Sequence, residues 1–180
     1  MQELRQVAAK PGEIWLIEHD MRRPLAGAER DALTSANVVL YERTLAPLVA
    51  SILPIGAYAE PLPAKAETGG AGLSPRAIRF AGEGWSVVQL IEAGGDAESR
   101  ARRISEALSS VGHIGDLPVL VTLKPTAGRS REFDASLRTA PDLARNLAPE
   151  GVLTLVIGPL PLRFPLPGPA HAFAGNGLAG

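Results

Sequence analysis

Four short apolar runs in the first half of the chain, each followed or preceded by a helix signal, limit what it can fold into. Glu13-Ile14-Trp15-Leu16-Ile17-Glu18 is apolar through its middle and bounded by acids, the pattern of a buried strand. A polar turn, His19 to Pro24, follows it, and Gly27 to Ser35 forms a short helix with Ala28, Ala32 and Leu33 on its inner face. Val38-Val39-Leu40-Tyr41 is a second strand. Thr44 is placed to cap a helix from Leu45 to Leu53, which Pro54 and Gly56 close. Ala57 to Glu60 is a third strand, and Pro61 to Gly72 a loop. Ser74 before Pro75 is a strong helix start, because proline in the first turn lacks only an amide that would have no partner there. That helix ends at Gly82, and the strand Ser86 to Ile91 follows. Strand and helix thus alternate, which predicts an α/β fold with a parallel or mixed sheet covered by helices.

Beyond Asp96 a long helix runs to about Val111, with Ile104, Leu108 and Val111 on one face and Arg100, Arg102 and Arg103 mostly outside. Pro118 to Leu123 is a strand, Lys124 to Arg131 a polar loop, and Glu132 to Leu137 a short strand. Thr139 and Asp142 have capping-box spacing for a helix from Ala140 to Leu147, and Val152 to Ile157 is the last strand. Three segments are expected: an N-terminal α/β subdomain over 1–97, a second over 98–160, and a Pro/Gly-rich tail over 161–180.

Composition narrows the function classes. With 46% hydrophobic but only 4% aromatic residues, the core must be built from Ala, Val, Leu and Ile. Eighteen Lys and Arg against 19 Asp and Glu leave no basic excess, so nucleic acid is not an expected partner. The lack of cysteine excludes disulfides and thiolate chemistry and fits a cytoplasmic protein. No apolar run reaches membrane-span length, so no membrane association is expected. There is no P-loop, Gly-x-Gly-x-x-Gly after a strand, nucleophile elbow or His-Glu-x-x-His spacing, and no metal site is expected.

The most specific local pattern is the strand that runs into Gly94-Gly95-Asp96. It places bare backbone and one carboxylate at the carboxyl edge of a sheet, where open α/β sheets bind ligands. The same tripeptide is also an ordinary glycine turn. Together with Ile14 to Tyr41, which ends in Ala36-Asn37-Val38-Val39-Leu40-Tyr41, and with Ala101 to Gly158, which closes on Leu155 to Gly158, this passage resembles the tetrapyrrole methylase family. These are S-adenosylmethionine-dependent C-methyltransferases of sirohaem and cobalamin synthesis, of the uroporphyrinogen-III C-methyltransferase type. The likeness extends over most of residues 13–158. The chain is shortened and divergent: Glu18-His19-Asp20-Met21-Arg22-Arg23 stands where the family has a glycine-rich loop, Ala97 where it has proline, and a long middle region is missing after Asp96.

The resemblance implies that the chain is a truncated two-domain methylase, a homodimer, with S-adenosylmethionine as cofactor and a tetrapyrrole as substrate. Gly94, Gly95 and Asp96 are then the first cofactor-binding candidates, with Thr126 and Gly128 of the later polar loop beside them. Methyl transfer from a sulfonium needs donor and nucleophile held in line, and glycines allow close backbone approach. A polycarboxylate substrate calls for arginines, and Arg22, Arg23, Arg129 and Arg131 lie in loops. His19 and Asp20 are the candidates for proton transfer. The departures point to the alternative, a non-catalytic relative that serves as a dimeric ligand- or protein-binding module.

Overall fold

The computed structural model describes residues 8–64 and 72–162. The strands are β1 (Ile14–His19), β2 (Val38–Tyr41), β3 (Tyr58–Pro61), β4 (Val87–Glu92), β5 (Pro118–Pro125), β6 (Arg131–Ser136) and β7 (Gly151–Ile157). The described helices are α1 (Gly27–Ser35), α2 (Ala46–Ile52), α3 (Pro75–Gly82), α4 (Ala97–Ser109) and α5 (Ala140–Leu147). All seven strands form one mixed sheet in the order β3-β2-β4-β1-β7-β5-β6. β1, β2, β3 and β4 are parallel, β7 is antiparallel to β1, and β5 is antiparallel to both β7 and β6. β5 therefore runs in the same sense as β1. The carboxyl ends of β1, β2, β3, β4 and β5 lie along one edge.

Side chains alternate across a strand, so each one feeds two cores. On one face Ile14, Leu16, Val87, Ile91, Val121 and Leu155 meet Ala77 and Ala81 of α3, Ile104 and Leu108 of α4, and Ala140 and Ala144 of α5. On the other, Trp15, Ile17, Val39, Val88 and Leu90 meet Ala32 and Leu33 of α1 and Val49 of α2. The expected aliphatic core is present. Alanines on the inner faces of α3, α4 and α5 let the helices lie close to the sheet.

Several local expectations are corrected. Thr44 caps no helix; it lies in a short 3₁₀ turn (Arg43–Leu45) and its hydroxyl donates to Glu92 Oε2 at 2.9 Å. Thr139 does not accept from the start of α5; its hydroxyl instead takes the Ser136 N–H at 3.0 Å. On α1, Ala28 faces solvent and Glu29 takes the inward position with Ala32 and Leu33. Arg100 is turned inward rather than outward, for reasons set by β1 and β7. Ser74 does cap α3, accepting from Arg76 N. The expected loop from Pro61 to Gly72 falls partly, and the expected tail over 161–180 almost wholly, outside the described residues.

Two glycines separate packing from accessibility. A Cβ on Gly151 would stand 2.0 Å from the Lys124 carbonyl oxygen and 2.7 Å from Pro125 Cα, both backbone of the paired strand, whereas a Cβ on Gly94 meets nothing within 4 Å. Gly151→Ala is expected to lower stability by about 2–3 kcal/mol through forced backbone displacement, and Gly94→Ala by less than about 0.5 kcal/mol, measured by denaturant unfolding.

Candidate functional site

Chain order places a topological switch point between β1 and β4. From β1 the chain passes through α1, on one face, to β2; from β4 it passes through α4, on the opposite face, to β5. Loops that leave neighbouring parallel strands in opposite directions open a crevice at the carboxyl edge. Here that rule singles out residues 20–26 and residues 93–96 as the flanking loops. The hairpin turn 126–130 after β5 lies on the same edge, three strand positions from β4, about 14 Å away. Every candidate named from sequence is therefore on one edge, spread along it.

At the β4 loop, Ala93 N–H donates to His19 O at 2.9 Å, so the turn is tied to the end of β1. Gly95 has a φ of +87°, which favours glycine. Asp96 is the N-cap of α4: its carboxylate accepts the Ser99 N–H at 2.7 Å, and that hydrogen bond holds its pKa below the ordinary value. Gly94 and Gly95 are exposed. The Arg103 guanidinium donates to Gly94 O and to Glu92 O, so a cation already sits on the carbonyls of this turn.

At the β1 loop, Asp20 holds Arg22 in a two-point pair, Nε to Oδ1 at 3.0 Å and Nη2 to Oδ2 at 3.1 Å. Those hydrogen bonds bring the Asp20 pKa down to about 2. Arg22 projects into solvent, and Arg23 is half-buried. In the β5–β6 turn, Thr126 N–H and hydroxyl both donate to Glu150 O, Gly128 has a φ of +106°, and Arg129 is exposed. Arg131 pairs with Glu150 and stacks over Phe133, 5.8 Å from the ring centre.

The residues that dominate the edge were not among the candidates. The β1–β7 ladder stops at Ile17–Thr154, although β1 continues to His19 and β7 starts back at Gly151. Side chains take over the abandoned positions. Glu18, fully buried, accepts Leu153 N–H at 2.9 Å and both Nε (3.3 Å) and Nη2 (3.2 Å) of Arg100. Arg100, with its side chain 12% exposed, also donates to Ala148 O and Gly151 O. On the opposite face Glu29 reaches back from α1: Oε2 accepts Ala26 N–H at 3.0 Å and Lys124 Nζ at 2.9 Å, and Oε1 accepts the Thr154 hydroxyl at 2.9 Å. A signal for both acids was present. Glu18 continues the odd-even alternation of β1 into the core, and Glu29 lies on the same helical stripe as Ala32 and Leu33.

His19 is 4% exposed, and its ring nitrogens are not among buried atoms left without a partner. Burial lowers its pKa from 6.5; Glu29 opposes that shift and Lys124 adds to it. The ring is therefore a neutral imidazole at pH 7. Among the described residues no three His, Asp or Glu side chains converge as metal ligands, and no helix is long and apolar enough to cross a membrane.

No family model and no curated protein matches the sequence. Among solved structures, the chain is similar to cobalt precorrin-4 methyltransferase, a cobalamin biosynthetic enzyme, over 85% of this chain and 95% of that one, with 14% identity and a TM-score of 0.29. A likeness at that level carries no argument about activity.

Removing one partner of a buried ion pair leaves the other charge desolvated, a loss of about 3–5 kcal/mol. Arg100→Met and Glu18→Gln are each expected to destabilise on that scale in urea unfolding. The double variant should be less destabilised than the sum of the singles, yet remain below wild type, because the Gly151 and Ala148 carbonyls lose the Arg100 donor.

Proposed function

We propose that the protein is methylase-like and binds S-adenosylmethionine in the crevice between the β1 and β4 loops. The observation that carries this reading is the switch point itself, with an exposed Gly94-Gly95 turn at its margin. In this reading Gly94 and Gly95 admit the ligand close to backbone, and the Asp96 carboxylate supplies negative charge near the cationic sulfonium while capping α4. Thr126 and Gly128 bound the far side of the edge. Arg22, Arg23, Arg129 and Arg131 would meet the carboxylates of a tetrapyrrole precursor of the uroporphyrin-III class. His19 or Asp20 is the group to accept a proton; His19 suits that role as a neutral ring, whereas Asp20, low in pKa and bound to Arg22, does not. The resemblance further implies a cytoplasmic homodimer of two linked subdomains, 1–97 and 98–160.

A second reading has its own support. The Asp96 carboxylate is engaged by Ser99, and Arg103 places positive charge at the carbonyls a sulfonium would use. That arrangement suits a non-catalytic relative that binds a ligand or a partner protein.

S-adenosylhomocysteine separates the two. A ligand that binds only the native state raises stability by about 2.7 kcal/mol at a hundredfold excess over Kd, so a rise of several degrees in Tm is expected for wild type. Gly94→Val should leave the ligand-free Tm unchanged, since its side chain meets open space, and should abolish the rise. No shift at millimolar ligand would overturn S-adenosylmethionine binding and leave the non-catalytic reading.

A further inference from the structure

The two borders of the sheet are finished differently. β6, at one border, carries Arg131, Glu132 and Asp134 among its six residues, and charge of this kind keeps an edge strand from pairing with another chain. β3, at the other border, has Glu60 alone. From Thr44 to Ala64 no other residue is charged. Glu60 is also tied down, by an ion pair with Arg76 and by the Tyr58 hydroxyl, which donates to it at 2.8 Å. Residues 54–59 are all exposed, Ile55 fully, and so are Pro61 and Pro63. The unguarded border is therefore apolar at both its beginning and its end.

The backbone of β3 is equally specific. Leu62 N–H donates to Tyr41 O at 2.7 Å, which fixes the phase of the strand. Tyr58 and Glu60 share that phase and turn their main-chain groups to β2, so those of Ala59 face outward. Among the described residues Ala59 N–H has no acceptor. Pro61, the next outward position, has no N–H. Ala57, the one before, gives its N–H to Pro54 O at 3.1 Å. β3 thus offers one outward donor, with an acceptor on the same residue. An antiparallel pair centred on that residue needs just this, since the two copies then exchange N–H···O bonds.

We propose that β3 is a self-association surface, at which two copies of the chain pair antiparallel about a two-fold axis through Ala59. The axis sets the Ile55 turn of each copy against Leu62 and Pro63 of the other, so the apolar beginning of the edge meets its apolar end twice. Tyr58 falls opposite Glu60, and no like charges face each other. Ala57 falls opposite Pro61, and neither has a spare N–H, so no donor is buried without a partner. The Tyr58 and Glu60 side chains are already held by Arg76, with the Phe80 ring 5.9 Å from that of Tyr58, so little order is lost on pairing. An extended peptide of another protein would use the same main-chain bonds, but the match between the two ends of this edge is met by its own copy. The surface gives the homodimer of the reading above a location without resting on S-adenosylmethionine, and it is tested without ligand, so the two fail separately.

An edge this short buries less than the ~800 Å² per partner of a stable dimer, so the association is reversible. Sedimentation velocity between about 10 and about 500 µM should show wild type passing from monomer to dimer. Ile55→Asp, at a fully exposed position, should stay monomeric with unchanged urea unfolding. The chain has no cysteine, so Ala59→Cys reads the register directly. Its Cα atoms would stand about 5.5 Å apart in the pair, within disulfide range. Its oxidised dimer should form at least about tenfold faster than that of Ser109→Cys, an exposed position on α4. A wild type that stays monomeric throughout, as it would if the edge served another protein's peptide, overturns the proposal. So does a dimer that Ile55→Asp leaves intact, or equal crosslinking at the two cysteines.

Discussion

Two buried acids, Glu18 at the end of β1 and Glu29 on α1, hold the halves of this fold together. Glu18 points to one face of the sheet and Glu29 reaches the other, and each binds a cation from the second half of the chain, Arg100 and Lys124. Burying a carboxylate alone would be prohibitive, so each has a full set of donors: Leu153 N–H for Glu18, Thr154 hydroxyl and Ala26 N–H for Glu29. The Glu18–Arg100 pair does more than neutralise. It stands in for the main-chain ladder where β1 and β7 part, satisfying Leu153 N–H and Gly151 O with side-chain atoms. Gly151 must be glycine in the same place because Lys124 O and Pro125 Cα lie where a side chain would begin.

These pins shape the carboxyl edge. The topology sets the β1 and β4 loops side by side at this edge, and the β1 loop carries an exposed Asp20–Arg22 pair beyond the buried end of its strand. On the β4 side, Asp96 and Arg103 are drawn into the start of α4, one as its cap and the other as a donor to the turn carbonyls. Gly94 keeps open space beside it, whereas a Cβ on Gly95 would meet Ser99 Cβ at 3.6 Å. The edge is thus closed where charges are buried and exposed at Gly94 and Gly95.

Strand and helix order could be deduced from sequence because it follows from local periodicity: Ile14 to Ile17, Val87 to Ile91 and Leu153 to Ile157 can hardly be anything but buried strands. Ser74-Pro75 likewise announced α3. Thr44 and Thr139 misled because a hydroxyl near a helix start has several acceptors and donors within reach, and Glu92 and Ser136 competed better. Arg100 was placed outside by its charge, since a helix wheel cannot know that a carboxylate 82 residues away waits beneath it.

The sequence by itself determined an aliphatic α/β sheet protein with a glycine turn after its fourth strand, since these properties depend on neighbours a few residues apart. Only the tertiary structure decided that β7 inserts antiparallel beside β1, that Glu18 and Glu29 turn inward, and that His19 is buried at the end of its strand. Those outcomes depend on desolvated charges meeting across 82 to 135 residues, and an ionised group is tolerated inside a protein only when a partner from elsewhere in the chain completes it.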